Sequence, residues 1–361
     1  MADATPVVVV PSAFAEAARL QLHARGLVDR TRKTTKREGD VLIPLLGQAS
    51  IDLDRFHARI EAAESLATRP LPRDPKAVLE RRFAEAGLPP EAMPRHWERL
   101  GDVVILTLPK PARPFAEAIA PLFGEVLRAR TVVETMAGID GRLRTPSVRV
   151  LWGGATETVH REGGIRYKLD VARVMFSSGN LAERVSIADR IRPGDVVVDL
   201  FAGIGHFALP IAVRARPAAV FACEINPVAF GYLVENVRLN RAANVIPLLG
   251  DCRETAPRGV ADWVVMGHFD SGDYLDVGIA ALREEGRILY HCLSPADRDR
   301  EGPGEAVRGA AATHGAEVLE LTTRIVKSYA PRIDHTIVEA HLRTAPKGLS
   351  GPGRLGGPVF R

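Results

Sequence analysis

Apolar residues recur along this chain at two spacings, and the changes from one to the other divide it into segments. Val7 to Val10 form an unbroken apolar run, which predicts a strand. Ser12 is placed to cap a helix from Ala13 to about Gly26, where glycine supplies the stop. Val41 to Leu46 predict a second strand, so residues 1–50 read as a small αβ domain. Residues 51–95 have mixed charges and are punctuated by Pro70, Pro72, Pro75, Pro89 and Pro90; they read as a helical linker. Strand patterns return at 101–109, 131–136, 148–153 and 156–160, with one helix-spaced stretch at 114–127, so 96–179 read as a small α+β domain. From residue 180 onward, apolar runs at 196–200, 218–224, 244–249, 261–267 and 287–293 alternate with helical stretches. That order predicts an α/β, doubly wound domain over 180–345, with a parallel sheet and helices on both faces. The stretches 318–322 and 336–342 are expected to add edge strands, and the glycine-rich residues 346–361 to be disordered.

Composition changes this picture little. The chain has 361 residues, 46% hydrophobic and 25% charged, which is ordinary for a globular protein of more than one domain. Only seven of the 48 basic residues are Lys. Arg suits bidentate phosphate contacts, but codon usage produces the same bias. Cys223, Cys252 and Cys292 lie far apart with no CxxC pair, so neither a metal site nor a disulfide framework is expected. No signal-peptide pattern and no run of about 18 apolar residues is present. A soluble, cytoplasmic protein without membrane association is expected, and it is taken to be a monomer.

The candidate chemistry starts at residues 195–210, DVVVDLFAGIGHFALP. A strand closing on Asp199 feeds a turn containing Gly203 and Gly205, and an apolar helix begins near His206. Such a turn brings backbone close to a ligand, and the helix start offers unpaired N–H groups. The next strand ends in Glu224, placed to accept both hydroxyls of a ribose. The strand after it ends in Gly250-Asp251-Cys252-Arg253, where a carboxylate can accept a proton from an adenine amino group. The ordered set Asp199, Gly203, Gly205, Glu224, Asp251 points to an adenosine ligand. NAD remains open, since Ala208 is tolerated at the third glycine position of the dinucleotide pattern; Asp199 and the GDCRE segment favour S-adenosylmethionine (SAM).

Residues 167–210 as a whole, with MFSSGNLAER (175–184), VDLFAGIGHFALP (198–210) and EINPVAFGYLVENVRLN (224–240), resemble the enzymes that modify the guanosine beside a tRNA anticodon. Within that group the chain is similar to the tRNA wybutosine-synthesising aminocarboxypropyltransferase family, which is related to the archaeal and eukaryotic-type tRNA guanine-N1 methyltransferases. The methyltransferases usually carry Asn-Leu-Pro after the fourth strand, where this chain has Met266-Gly267-His268. Ser178-Gly179 stands where the family often has Ser-Pro. The resemblance implies a Rossmann-like class I SAM-dependent methyltransferase fold with SAM as co-substrate. It implies transfer of the 3-amino-3-carboxypropyl group to the tricyclic base 4-demethylwyosine of tRNA(Phe). A tRNA guanine-N1 methyltransferase and a SAM-dependent enzyme acting on a small metabolite are the alternatives.

By the same resemblance, Ser177 and Arg184 touch the methionine part of SAM, with Arg184 on its carboxylate. Glu224 binds the ribose, and Asp251 and the Cys252 backbone bind the adenine. Phe201, Gly203, Gly205, Ile225 and Met266 complete the expected cofactor set with Asp199. His206, His268 and Asp270 are the titratable candidates for proton transfer, though a loop His is more often structural. Arg32, Lys33, Lys36 and Arg37 form a basic cluster suited to phosphate. Lys327 and Arg332, with Tyr329 between them, form a second candidate RNA contact. Trp97, Trp152 and Tyr329 are the aromatic residues weighed for stacking on bases.

Overall fold

The computed structural model describes residues 5–29, 31–47, 54–63, 66–67, 74–140, 145–296 and 302–344. Pro70, Pro72 and the tail over 346–361 lie outside the described residues. The chain divides into two compact units, Met1–Arg82 and Phe83–Arg361.

In the first unit, β1 (Thr5–Pro11) is followed by α1 (Ala15–Ala24), β2 (Thr35–Arg37), β3 (Asp40–Pro44) and β4 (Arg59–Ala63). The sheet order is β2-β3-β1-β4, with β1 antiparallel to both neighbours. The unbroken valine run follows from burial on both faces: Val8 and Val10 meet Ala18 and Leu22 of α1, while Val7 and Val9 pack with Leu42 opposite. Two expectations are corrected. Ser12 does not cap the helix; its hydroxyl donates to the Gly39 carbonyl at 2.7 Å, and α1 begins three residues later behind Phe14. Residues 51–95 are not a wholly helical linker either, because β4 lies there and completes the sheet. Its RIEAA sequence has no fully buried position and so carries no apolar signal. Among the described residues of that stretch, the α-helix is α2 (Pro75–Glu85).

The second unit starts with β5 (Trp97–Leu100), β6 (Val103–Leu106), α3 (Ala116–Leu127), β7 (Thr131–Asp140) and β8 (Thr145–Trp152). These strands form a sheet in sequence order, with β6 and β7 parallel across α3. The hairpin β9 (Glu157–Glu162) and β10 (Ile165–Asp170) comes next, burying Ile165, Tyr167 and Leu169 at alternate positions. After α4 (Leu181–Arg190) come β11 (Val196–Asp199), α5 (Ala208–Pro210), β12 (Ala219–Glu224), α6 (Pro227–Leu239), β13 (Val245–Leu249), α7 (Cys252–Thr255) and β14 (Ala261–Met266). The chain closes with α8 (Leu275–Ala281), β15 (Leu282–Pro295), α9 (Gly302–Thr313), β16 (Glu317–Ala330) and β17 (Ile333–Arg343).

The large sheet has the order β13-β12-β11-β14-β15-β17-β16. Its first five strands are parallel, and β17 inserts antiparallel between β15 and β16. So 318–322 lies on an edge strand, but 336–342, expected at an edge, is interior. The burial of His335 to Val338 without a break reflects that position. Leu100, Val103 and Val133 of the smaller sheet share one core with Val197 of the larger sheet, Ile187 of α4 and Phe207 of the turn after β11, so these two parts are built together. The chain runs to opposite sides after β11 and β13, which makes the carboxyl ends of β11 and β14 a switch point where α/β sheets hold ligands.

Candidate active site

The carboxyl ends of β11, β12 and β14 open onto a cleft of about 900 Å³, its mouth included. Ser177, Arg184, Phe201, Gly203, Glu224 and Ile225 all reach its wall, as do His206 and His268. The cleft is therefore assembled from α4 and the loop before it, from the β11 and β12 ends, and from the turn after β14.

The β11 turn follows from its glycines: Gly203 at φ 58° and Gly205 at φ 101° occupy backbone space that side chains disfavour. The freed Gly203 N–H donates to Glu224 Oε2 at 2.7 Å, and the Asn226 N–H donates to Oε1 at 2.7 Å. The carboxylate is thus held by both oxygens, each keeping capacity to accept again. Burial raises its pKa, opposed by those backbone donors. Asn226 in turn caps α6 through Val228 N at 2.9 Å. Asp199 sits behind the turn, fully buried; its Oδ1 accepts the Phe201 N–H at 3.2 Å and its Oδ2 makes no hydrogen bond. Burial pushes Asp199 up to about 7.

Arg184 is 1% exposed. Its guanidinium donates to the Glu162 carboxylate of β9 and to the Ser177 carbonyl, and it lies over the Phe176 ring at 5.4 Å. Its Nε–H has no partner, although the side chain is in the cleft wall. An orphaned cationic donor beside a fixed carboxylate and a glycine turn fits a ligand with a carboxylate at one end and a ribose at the other, as SAM has.

The proton-transfer candidates separate. His206 faces the cleft and accepts the Ser177 N–H through Nε2 at 3.4 Å, its ring packed against Phe176. His268 is in the wall and accepts the Asp270 N–H through Nδ1 at 3.1 Å. Asp270 itself is exposed and outside the lining. Five expected cofactor residues also lie off the wall: Asp199 and Gly205 of the β11 turn, and Asp251, Cys252 and Met266. Asp251 accepts the Arg253 N–H at 3.0 Å at the head of α7; the Cys252 thiol is buried and pushed up to about 12 by burial. The Met266 side chain is core, packed near Gly278, and the next residue, Gly267, forms the wall instead. A Cβ on Gly267 would lie 2.8 Å from the Phe207 ring.

Other residues at the site carried no clear motif. Glu162 holds Arg184, and Glu183, next to it on α4, grips Arg324 of β16 with both oxygens. Glu98, raised by burial, bonds the Ser178 side chain. His291 and His335 are fully buried and flank the cleft-wall rings Phe207 and Phe269. A histidine inside each of two apolar strands was the one signal available for that pair.

Of the basic candidates, Lys327 donates from Nζ to the Gly179 carbonyl at 3.0 Å, and Arg332 stands at φ 62° in the turn between β16 and β17. In the first unit, Arg37 pairs with Glu61 at 2.9 Å and Arg32 with Asp29 at 3.6 Å, while Lys33 and Lys36 are exposed. Among the described residues, no three His, Cys, Asp or Glu side chains gather as a metal site, and no helix is long and apolar enough to cross a membrane.

Known proteins give the arrangement its context. The TRM5/TYW2 methyltransferase domain matches residues 158–319, and the TYW2 N-terminal domain matches 81–156. The tRNA(Phe) (4-demethylwyosine(37)-C(7)) aminocarboxypropyltransferase of Methanocaldococcus jannaschii is 37% identical over 68% of this chain and 96% of its own length. The chain belongs to the TRM5/TYW2 family. A second relative, the tRNA (guanine(37)-N(1))-methyltransferase Trm5b of Pyrococcus abyssi, is 33% identical over 91% of this chain and 96% of its own. Among solved structures, P. horikoshii TYW2 in complex with MeSAdo superimposes with a TM-score of 0.67 at 32% identity, over 75% of this chain and all of that one. Its sheet and this one therefore share the Rossmann-like class I fold of SAM-dependent methyltransferases.

Proposed function

We propose that this chain transfers the 3-amino-3-carboxypropyl group of SAM to a carbon of the tricyclic base 4-demethylwyosine in tRNA(Phe), releasing methylthioadenosine. The observation that carries this reading is the wall after β14. Met266-Gly267-His268 stands where the methyltransferase branch has Asn-Leu-Pro, and Gly267 leaves the Phe207 ring the space a side chain would fill. The named function of the M. jannaschii relative supports it.

In this reading Glu224 accepts the ribose hydroxyls, and Arg184 offers its unpaired Nε–H to the methionine carboxylate beside Ser177. Phe201, Gly203, Gly205 and Ile225 shape the ribose end, with Asp199 behind them. Asp251 and the Cys252 backbone take the adenine, and Met266 contributes through the strand end rather than its side chain. The protein's task is orientation: whichever carbon on sulfur faces the acceptor is the one transferred. The acceptor carbon bonds to the terminal carbon of the aminocarboxypropyl chain as the bond from that carbon to sulfur breaks. The sulfur leaves as the neutral thioether, and the acceptor carbon gives up its hydrogen as a proton. His206 and His268 are the cleft histidines able to receive it. Arg32, Lys33, Lys36 and Arg37 of the first unit, and Lys327 and Arg332 of the second, are assigned to tRNA phosphates.

Incubation with SAM and tRNA bearing the tricyclic base, followed by mass spectrometry of the adenosine product, tests this. Methylthioadenosine with the matching mass gain on tRNA supports the reading. S-adenosylhomocysteine instead makes the chain a guanine-N1 methyltransferase, a reading favoured by the match to Trm5b over 91% of this chain.

A further inference from the structure

Of the three aromatic side chains weighed for base stacking, two are used by the fold. Trp97 meets Phe123 edge-on at 5.4 Å, and Trp152 lies against Gly124. Tyr329 is different: it stands near the end of the edge strand β16, with 53% of its surface exposed.

Among the described residues its ring neighbour leads into the cleft. Tyr329 meets Phe269 edge-to-face at 5.3 Å and 74°, and about half of its surface stays open to solvent. Phe269 belongs to the cleft wall. Behind it lies buried His335 at 4.8 Å, then His291, then Phe207 at 5.2 Å, again in the wall. The exposed ring is thus the outer end of a row of rings in which His335, His291 and Phe207 are buried. The strand carrying it is also tied to the cleft loop, by Lys327 on the Gly179 carbonyl, and to α4, by Arg324 on Glu183. Tyr329 thus presents aromatic surface to solvent next to Phe269 of the cleft wall.

We infer that Tyr329 is the stacking platform for the acceptor base as it enters the cleft. This rests on the tRNA reading above. A base inside an anticodon loop has to leave its neighbours' stack to reach an enclosed site, and an aromatic face at the entrance replaces the contact it gives up. A tricyclic base offers more π-surface than a purine, so the platform discriminates in favour of the bulkier acceptor. Lys327 and Arg332 lie on either side of Tyr329 in the chain, cations suited to the flanking phosphates.

The test is a binding cycle with the full chain and two synthetic anticodon stem-loops, one carrying the tricyclic base and the other abasic at that position. Tyr329→Ala is expected to weaken binding of the tricyclic loop by about tenfold and to leave the abasic loop within about twofold. Tyr329→Phe is expected to restore the lost affinity. An unchanged SAM affinity and melting temperature in Tyr329→Ala confirm that the fold is intact. Equal losses on both loops, or none on either, overturn the inference. The by-product assay on the same proteins keeps the two readings apart. Methylthioadenosine release without binding coupling sinks the Tyr329 role alone. Coupling with S-adenosylhomocysteine release sinks the aminocarboxypropyl reading and leaves the platform standing.

Discussion

His291 Nδ1 lies 3.0 Å from His335 Nε2, with both rings closed off from solvent. One of the two nitrogens carries the shared proton, while His291 Nε2 and His335 Nδ1 make no hydrogen bond. The pair is therefore held neutral. Burial pushes His291 down to about 3 and His335 to about 4. The charges of Arg324 and Lys327 act in the same direction, and Glu183 opposes them at His335.

The consequence is an acid-sensitive fold. Above the ordinary 6.5 both states are neutral, and the pair's contribution is complete. As pH falls below 6.5 the unfolded chain takes up protons that the folded pair refuses, so stability declines toward pH 4. Thermal melts from pH 7.5 to 5.0 are expected to show this decline. The double variant His291→Leu with His335→Leu is expected to have a shallower slope; equal slopes would remove the pair as the cause.

Asp199 acts with the opposite sign. Its ordinary value of 3.8 is raised to about 7 by burial. Between those values the folded state keeps a proton the unfolded chain has released, so this group's contribution is lost as pH rises through about 7. Asp199→Asn, which keeps an acceptor for the Phe201 N–H, is expected to melt above the wild type at pH 8.5. Toward pH 5 the gap is expected to close, and a pH-independent gap would show that charge is not its origin.

Arg184 serves both the fold and the cleft, and two variants separate the roles. Arg184→Ala strands the Glu162 carboxylate and is expected to cost about 3 kcal/mol in chemical denaturation, as for a broken buried ion pair. Arg184→Met combined with Glu162→Gln is expected to recover most of that stability while SAM affinity by calorimetry stays lost. Recovery of SAM affinity in the double variant would take Arg184 out of the ligand site.

Glu224→Gln keeps the size of the side chain and removes its charge. Loss of one charged acceptor to the ribose is expected to weaken SAM binding by about 2 kcal/mol, some thirtyfold. Wild-type affinity would assign Glu224 to holding the Gly203 turn alone.

Much of the fold was legible because its strands are locally encoded. Residues 196–200, 218–224 and 261–267 are apolar runs with buried positions, and each forms a parallel strand where the pattern placed it. The misses have a common cause. β4 is polar because it is an exposed edge, and Ser12 was assigned to the nearest helix when its partner, Gly39, is 27 residues away. At the site, residues next to the strand ends, such as Gly203 and Glu224, were found because their spacing is local. Glu162, Glu183, His291 and His335 were not, because each matters through a partner at least 22 residues distant.

By itself, the sequence determined the α/β class, the glycine turn after the first strand of the large sheet, and the acid at the end of the second. These depend on side-chain period and on backbone freedom at single residues, both properties of short segments. Only the tertiary structure decided that Asp270 lies outside the cleft lining, that Met266 is core while Gly267 forms the wall, and that Tyr329 stands exposed beside Phe269. Which way a side chain faces at a strand end depends on what packs against it, and those neighbours come from distant parts of the chain.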